Sequence, residues 1–433
     1  MSFAVFGVFL LLVLFGSLRW LVPTLVAFAV LVPFTEGLVV AGIDLKYIRL
    51  LSLAGLVRLI AMGRFSLELN QVDRVYLFWV LSGFAVFMLA NLNGSSFVYR
   101  AGMAFDGLVL WALARWALNA DWYGVAVRAF TVALVLVSIS VAAELYSGSN
   151  VLGAIGQPDA LWRDGKARLY AAFDHPILMG SFFAAVLPLV LGLWVTQKIS
   201  KISALVAGAL TVMIVLSTSS SGPIAAMAVG VLAFAGFKLK SWVYPGLIAL
   251  VLIAGVLHFL VMEQSVWLLL GRLDLTGSST GYHRYWLIEQ TVNHFNEWFL
   301  VGTRDISHWN VWANDVTSMY VLQAITGGLV VLVAFFWMCW KLFVRLENTE
   351  SVDPIALPPV LQWGLFCSFL TQLASFMSVA YWGQTLVLFG FWVALYSSLP
   401  RQRTAQPQQQ SRPAVVGSSP KFQRPAVSPR SLG

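Results

Sequence analysis

Residues 242–261 read WVYPGLIALVLIAGVLHFLV, twenty positions with no Lys, Arg, Asp or Glu among them. An apolar helix of about 20 residues covers the roughly 30 Å hydrocarbon core of a bilayer, so this stretch is expected to cross a membrane. Directly after it comes the longest polar interval of the chain, Glu263 to Asp315. Working outward, the same texture recurs almost from end to end. Hydrophobic residues make up 59% of the 433 positions and charged residues 11%. Soluble domains carry about 25% charged residues, so the chain has too few to solvate an ordinary surface.

Apolar runs fall at 2–17, 20–34, 43–62, 75–91, 97–117, 122–143, 173–196, 202–217, 222–237, 242–261, 316–340, 359–380 and 383–399. The expected fold is an all-α polytopic membrane protein with about 12–13 transmembrane helices and one long loop, 263–315, that carries short helices. Three parts follow: N-terminal membrane helices over 1–143, a core over 144–399, and a tail over 400–433. The tail is rich in Pro, Gln, Ser and Arg and is expected to be disordered, because it has too little apolar surface to bury. The opening MSFAVFGVFLLLVLFG lacks a basic leader and a small-residue cleavage pattern. It reads as a retained helix.

Cytoplasmic ends of membrane helices concentrate Lys and Arg. Placing Lys198, Lys201, Lys238, Lys240, Lys341, Arg345 and the tail arginines inside also brings Arg64, Arg74 and Arg115 inside. The segments 144–172, Ser217–Gly222 and 263–315 then lie outside, together with all five histidines. The net charge of +8 is largely this topological excess and does not call for nucleic acid. Cys339 and Cys367 both fall in apolar runs, so neither a disulfide framework nor a zinc–thiolate site is expected.

Arg49, Arg58, Arg100, Asp106 and Arg128 lie within the apolar runs. A charge at the bilayer centre costs about 2.5–3.5 kcal/mol on insertion scales, so Asp106 is expected to face the bundle and find an arginine or hydroxyl partner.

Three constellations are able to carry chemistry. Residues 168–180, RLYAAFDHPILMG, set Arg168, Asp174 and His175 at a helix mouth, because Pro176 suits a first helical turn. An anion held there by Arg168 is one reading; a capping Asp and an interfacial His is the other. Residues 217–222, STSSSG, join two helices with hydroxyls suited to capping, and no catalytic-serine context surrounds them. Residues 280–295, TGYHRYWLIEQTVNHF, read as a helix bearing His283 and Arg284. The planar fork of an arginine clamps a diphosphate in two-point fashion, while an arginine on lipid phosphate is the plainer alternative. His283 and His294 stand about 16 Å apart along such a helix and cannot share an ion. No protein-bound metal and no cofactor are expected. His308 is the candidate general base, as imidazole titrates near neutral pH. Arg272, Arg304 and Asp315 complete the candidate binding residues.

These pieces resemble the O-antigen ligase and polysaccharide polymerase family. The resemblance rests on Phe173-Asp174-His175-Pro176, the Ser-rich turn, Gly281 to Trp286 with Arg284 between them, Phe299–Thr303, Asp315-Val316-Thr317, and Gly327-Gly328. It covers roughly 165–335. It implies a bacterial inner-membrane glycosyltransferase, free of metal, that uses an undecaprenyl-diphosphate-linked glycan at the periplasmic face, with membrane lipid and other polysaccharide-assembly proteins as partners. By the same resemblance Arg284 holds diphosphate and His308 acts as base. Relatives usually carry Ser-Arg-Gly where this chain has Ser220-Ser221-Gly222, so either Arg168 or Arg272 substitutes or the donor is handled differently. The loop is short for a ligase and favours a polymerase. Ligation of polymer to lipid A-core or another acceptor stays open, as does, from another class, a transporter or flippase.

Overall fold

The computed structural model describes residues 1–40, 43–163, 165–271, 280–303, 305–309, 315–347 and 357–399. The expectations for Arg272, Arg304 and the tail from 400 onward lie outside the described residues. The first helices are α1 (Ser2–Phe15), α2 (Leu21–Leu31), α3 (Tyr47–Ala61), α4 (Gln71–Ala90), α5 (Gly94–Ala120) and α6 (Trp122–Ser147). Next come α7 (Pro176–Ala184), α8 (Val186–Val195), α9 (Lys201–Ser217), α10 (Ser221–Ala235) and α11 (Val243–Val256). The polar loop holds α12 (Leu268–Gly271), α13 (Thr280–Asn293) and α14 (Phe295–Trp298), and the chain continues through α15 (Met319–Glu347), α16 (Pro359–Phe376) and α17 (Gly383–Ser397).

Among the described residues, six helical segments are long and apolar enough to cross a membrane: Gln71–Ala90, Gly94–Ala120, Trp122–Ser147, Pro176–Val195, Ser221–Val261 and Met319–Leu346. The fold is thus an all-α polytopic one. The segment Ser221–Val261 has 41 residues, about 60 Å of helix and twice the core thickness. It reverses through a 3-10 stretch, Gly236–Trp242, that carries Lys238 and Lys240. On one side of that stretch Ala233 accepts from Trp363; on the other, Tyr244 packs on Phe343, and His258 beyond α11 stacks on Trp267.

Other runs are shorter as helices than as sequence. Residues 43–46 belong to a hairpin, β1 (Gly37–Val40) against β2 (Ile43–Lys46), rather than to the helix expected from 43. The polar interval after α6 holds a second hairpin, β3 (Leu161–Arg163) against β4 (Lys166–Arg168), where no strand was expected. Both are two-stranded pieces at a helix end. Helix α17 has only 15 residues, yet every one from Gln384 to Ser397 is buried. It is the axis of the bundle and has no need to match the bilayer thickness.

Buried charges find partners inside the bundle. Arg49 grips Asp106 with two bonds, Nε to Oδ1 and Nη2 to Oδ2, both 2.7 Å, as expected for Asp106. Arg58 donates to the carbonyls of Val13 and Gly16 at the end of α1, at 2.6 and 2.7 Å, and Arg100 donates to the Gly83 carbonyl. Arg115 pairs with Asp73 at 2.8 Å, and Asp73 itself closes a capping box with Asn70 at the start of α4.

Hydrogen bonds sort the loops into two ends. At one, Arg345 donates to the carbonyls of Tyr396 and Ser397, Asn70 reaches Ser397, and Trp116 reaches the Arg64 carbonyl. Arg64, Arg115 and Arg345 therefore share an end. At the other, Leu169 N–H reaches Ser217, Gln384 reaches the Ala172 carbonyl at 2.7 Å, and Ser318 reaches Phe376.

Candidate functional site

The second end centres on the start of α10. Ser220 precedes the helix, but its hydroxyl does not cap it. Oγ donates to the Thr218 carbonyl at 2.9 Å and accepts from Nη2 of Arg168 at 2.8 Å, while Nε of Arg168 reaches Thr218 O at 3.3 Å. The β3–β4 hairpin delivers Arg168 to this place: Ser219 Oγ donates to the Ala167 carbonyl at 3.2 Å and Leu169 N–H to Ser217 O at 3.1 Å. Burial, with Arg163 nearby, pulls the Arg168 guanidinium below its ordinary value; an arginine so placed still carries its charge.

Arg284 arrives at the same helix start from α13. Its Nη2 stands 3.5 Å from the point a Cβ on Gly222 would occupy, and Ser378 Oγ lies 2.4 Å from that point. Glycine leaves room for Ser378 to approach the first turn, while the guanidinium stands at ordinary contact distance beside it. Two arginines more than a hundred residues apart in sequence thus flank one helix N-terminus whose preceding serine is committed elsewhere. Amide N–H groups and the helix dipole there favour an anion.

A few residues away, His175 rather than Asp174 caps α7, its Nδ1 accepting from Ile177 N–H at 3.2 Å. Burial and the charge of Arg168 push the imidazole down to about 4, so the ring is neutral. Asp174 lies against Gly383 at the start of α17, and burial raises its carboxyl to about 6. The His175 ring is 6.4 Å from that of Trp382.

The polar loop is tied down at several points. His283 Nε2 pairs with the Asp315 carbonyl at 2.7 Å, which fixes α13 to the segment entering α15. Trp267 donates to Glu289 on α13 at 2.6 Å. Helix α15 breaks at Gly328, φ 62 and ψ −164, and the turn after α14 fills the break: Thr303 N–H reaches Ile325 O at 2.8 Å and Leu329 N–H reaches Phe299 O at 2.9 Å. The freed backbone groups of a broken helix are satisfied in this way. Phe299–Thr303 and Gly327-Gly328, separate motifs in the sequence, form one structural unit.

His308 joins a different group. Its Nε2 pairs with Glu297 Oε2 at 2.9 Å, its ring lies 5.9 Å from that of His294, and His294 stacks on Trp309. Ten residues of α13 and its continuation, about 15 Å of axis, separate Arg284 from His294. The structure therefore brings Arg168 and Arg284 together and does not bring His308 to them. Ser378 and Glu297 were missed by sequence reasoning, and Ser220 was read there only as part of a turn suited to capping. The partners of the two missed residues lie in other elements, Glu297's in the Ser307–Trp309 turn and Ser378's at Gly222, so no local pattern marks them. No protein-family model matches this chain, and no curated protein sequence matches it either.

Proposed function

We propose that the protein is a bacterial inner-membrane polysaccharide polymerase that transfers a glycan from undecaprenyl diphosphate to the next lipid-linked repeat at the periplasmic face. The observation that supports it most is the convergence of Arg168 and Arg284 on the start of α10. In this reading the acceptor hydroxyl attacks the anomeric carbon of the donor sugar. The bond from that carbon to the phosphate oxygen breaks, the electron pair leaves with the diphosphate, and the proton of the acceptor hydroxyl passes to the departing diphosphate. Charge grows on the leaving group, and prepositioned donors aimed at developing charge are worth about 100–1000-fold each. Arg168, held by Ser220, and Arg284, beside Gly222, meet that charge with planar, two-point donors. The missing arginine of the Ser-Ser-Gly turn is supplied from the β3–β4 hairpin. No step is routed through His308. The end bearing Arg64, Arg115 and Arg345 faces the cytoplasm in this reading, by the usual excess of basic residues there.

Deletion of the gene in its own host, followed by sizing of the lipid-linked glycan, tests the reading. Single repeats on lipid are expected. Full-length lipid-linked polymer would point to a ligase, and substrate confined to the cytoplasmic leaflet to a flippase.

A further inference from the structure

We propose that His294, Glu297 and His308 bind one divalent cation, zinc by the character of the donor set, at the corner between α13 and α14. The three residues each offer a ligand atom, and these atoms lie within 4.8 Å of one another. Two imidazoles and a carboxylate suit zinc, and three protein ligands leave a fourth position for water. The surrounding bonds prepare each ligand. Nδ1 of His294 lies 2.9 Å from the Gln290 carbonyl; a carbonyl only accepts, so Nδ1 carries the proton and Nε2 keeps its lone pair. Fixing a histidine tautomer through a backbone carbonyl is the usual outer-sphere arrangement of metal sites. Glu297 Oε2 accepts from Trp309 Nε1 at 2.9 Å as well as from His308, which orients the carboxylate. Stacking of His294 on Trp309, 4.9 Å between centroids and 15° between planes, holds the first imidazole in place.

Zinc bonds of about 2.0–2.2 Å require the three atoms to draw closer. The exposed side chains of His308 and Glu297, 53% and 35% accessible, are free to do so, with the ion replacing the proton they share. Asp305 is not a ligand here, since its carboxylate is committed to Ser307 N–H and Oγ, both at 2.8 Å. The histidine pair that matters is not the one spaced along α13. It is His294 with a residue the chain brings back fourteen positions later. Bound metal would pin the Ser307–Trp309 turn to the α13–α14 corner. The site stands apart from the α10 end and does not depend on the transferase reading.

The test is zinc binding by full-length protein in detergent, carrying a tag without histidine, measured by equilibrium dialysis with zinc analysis. One zinc per chain is expected for the wild type. His294→Ala and Glu297→Gln should each weaken binding at least tenfold, while His283→Ala, on the same helix but bonded to Asp315 O, should leave it unchanged. Cobalt added to the wild type provides a second readout independent of any variant, a visible absorption band of four- or five-coordinate N/O ligation. No zinc at stoichiometric concentration, binding unaltered in His294→Ala, or absence of the cobalt band would each overturn the proposal and leave an ordinary His308–Glu297 ion pair.

Discussion

Nη2 of Arg168 donates to Oγ of Ser220 at 2.8 Å across fifty-two residues of chain. The contact ties a hairpin after α6 to the start of α10 and puts a guanidinium beside that helix's N-terminal end. If this arginine serves the donor diphosphate, Arg168→Lys keeps the charge but loses the fork. Glycan transfer should fall at least tenfold at matched protein levels. Ser220→Ala leaves the Thr218 carbonyl as a partner and should cost less than Arg168→Lys. Equal transfer by wild type and Arg168→Lys would remove the residue from the site.

Gly222 has Ser378 on one side and Arg284 on the other. A methyl group there meets Ser378 Oγ and Cβ at 2.4 and 2.8 Å, so Gly222→Ala should destabilise the protein by about 1–3 kcal/mol, the usual range for overpacking. Adding Ser378→Gly should recover part of the thermal stability. Melting curves in detergent for the two variants decide this, and identical values would show that the close approach is not real.

Much of the fold is legible in sequence, because a bilayer demands long apolar runs whatever their tertiary partners. Asp106 pairing with an arginine is legible for the same reason: an unpaired charge there is too costly to persist. The shorter helices are not. Residues 43–46, Ile-Asp-Leu-Lys, alternate apolar and charged side chains, a period too brief to stand apart from the apolar run that follows, and pairing with Gly37–Val40 makes them a strand. The site was half legible. Arg284 and Arg168 stand out as charges on an apolar chain, whereas Ser220, Gly222 and Ser378 acquire meaning only when distant loops meet. His308 was selected by residue type alone, and type does not encode which end of α13 it faces.

Asp174 and His175 titrate in opposite senses. The Asp174 carboxyl rises from 3.8 to about 6 on folding, so the folded state holds the extra proton and stability falls as pH climbs from 4 to 6. His175 falls from 6.5 to about 4, so the unfolded state holds the extra proton and stability climbs over nearly the same window. Each is worth up to about 3 kcal/mol by linkage, and in the wild type the two slopes largely cancel. His175→Asn retains a good cap and should unmask a melting temperature that drops between pH 4 and 6. Asp174→Asn should unmask one that rises between pH 4 and 6.5. Parallel profiles for both variants would contradict the burial of these groups.

The Arg49–Asp106 pair makes two bonds of 2.7 Å within the apolar region. Breaking a buried pair from one side leaves an uncompensated charge and costs about 3–5 kcal/mol, while replacing both partners by apolar residues is often neutral. Arg49→Met should therefore melt far below the wild type. The double variant Arg49→Met with Asp106→Leu should recover most of the loss. A double variant as unstable as the single one would mean the pair is not isolated in this way.

In the proposed function, two arginines at the start of α10 hold a diphosphate that leaves during glycan transfer. This is tested most directly with purified protein in liposomes supplied with an undecaprenyl-diphosphate-linked repeat, the products being sized on a gel. Wild-type protein should give a ladder of longer lipid-linked glycans. Arg284→Lys should give at most about one hundredth of that product at an unchanged melting temperature. An undiminished ladder from Arg284→Lys, or none from the wild type, would contradict the account.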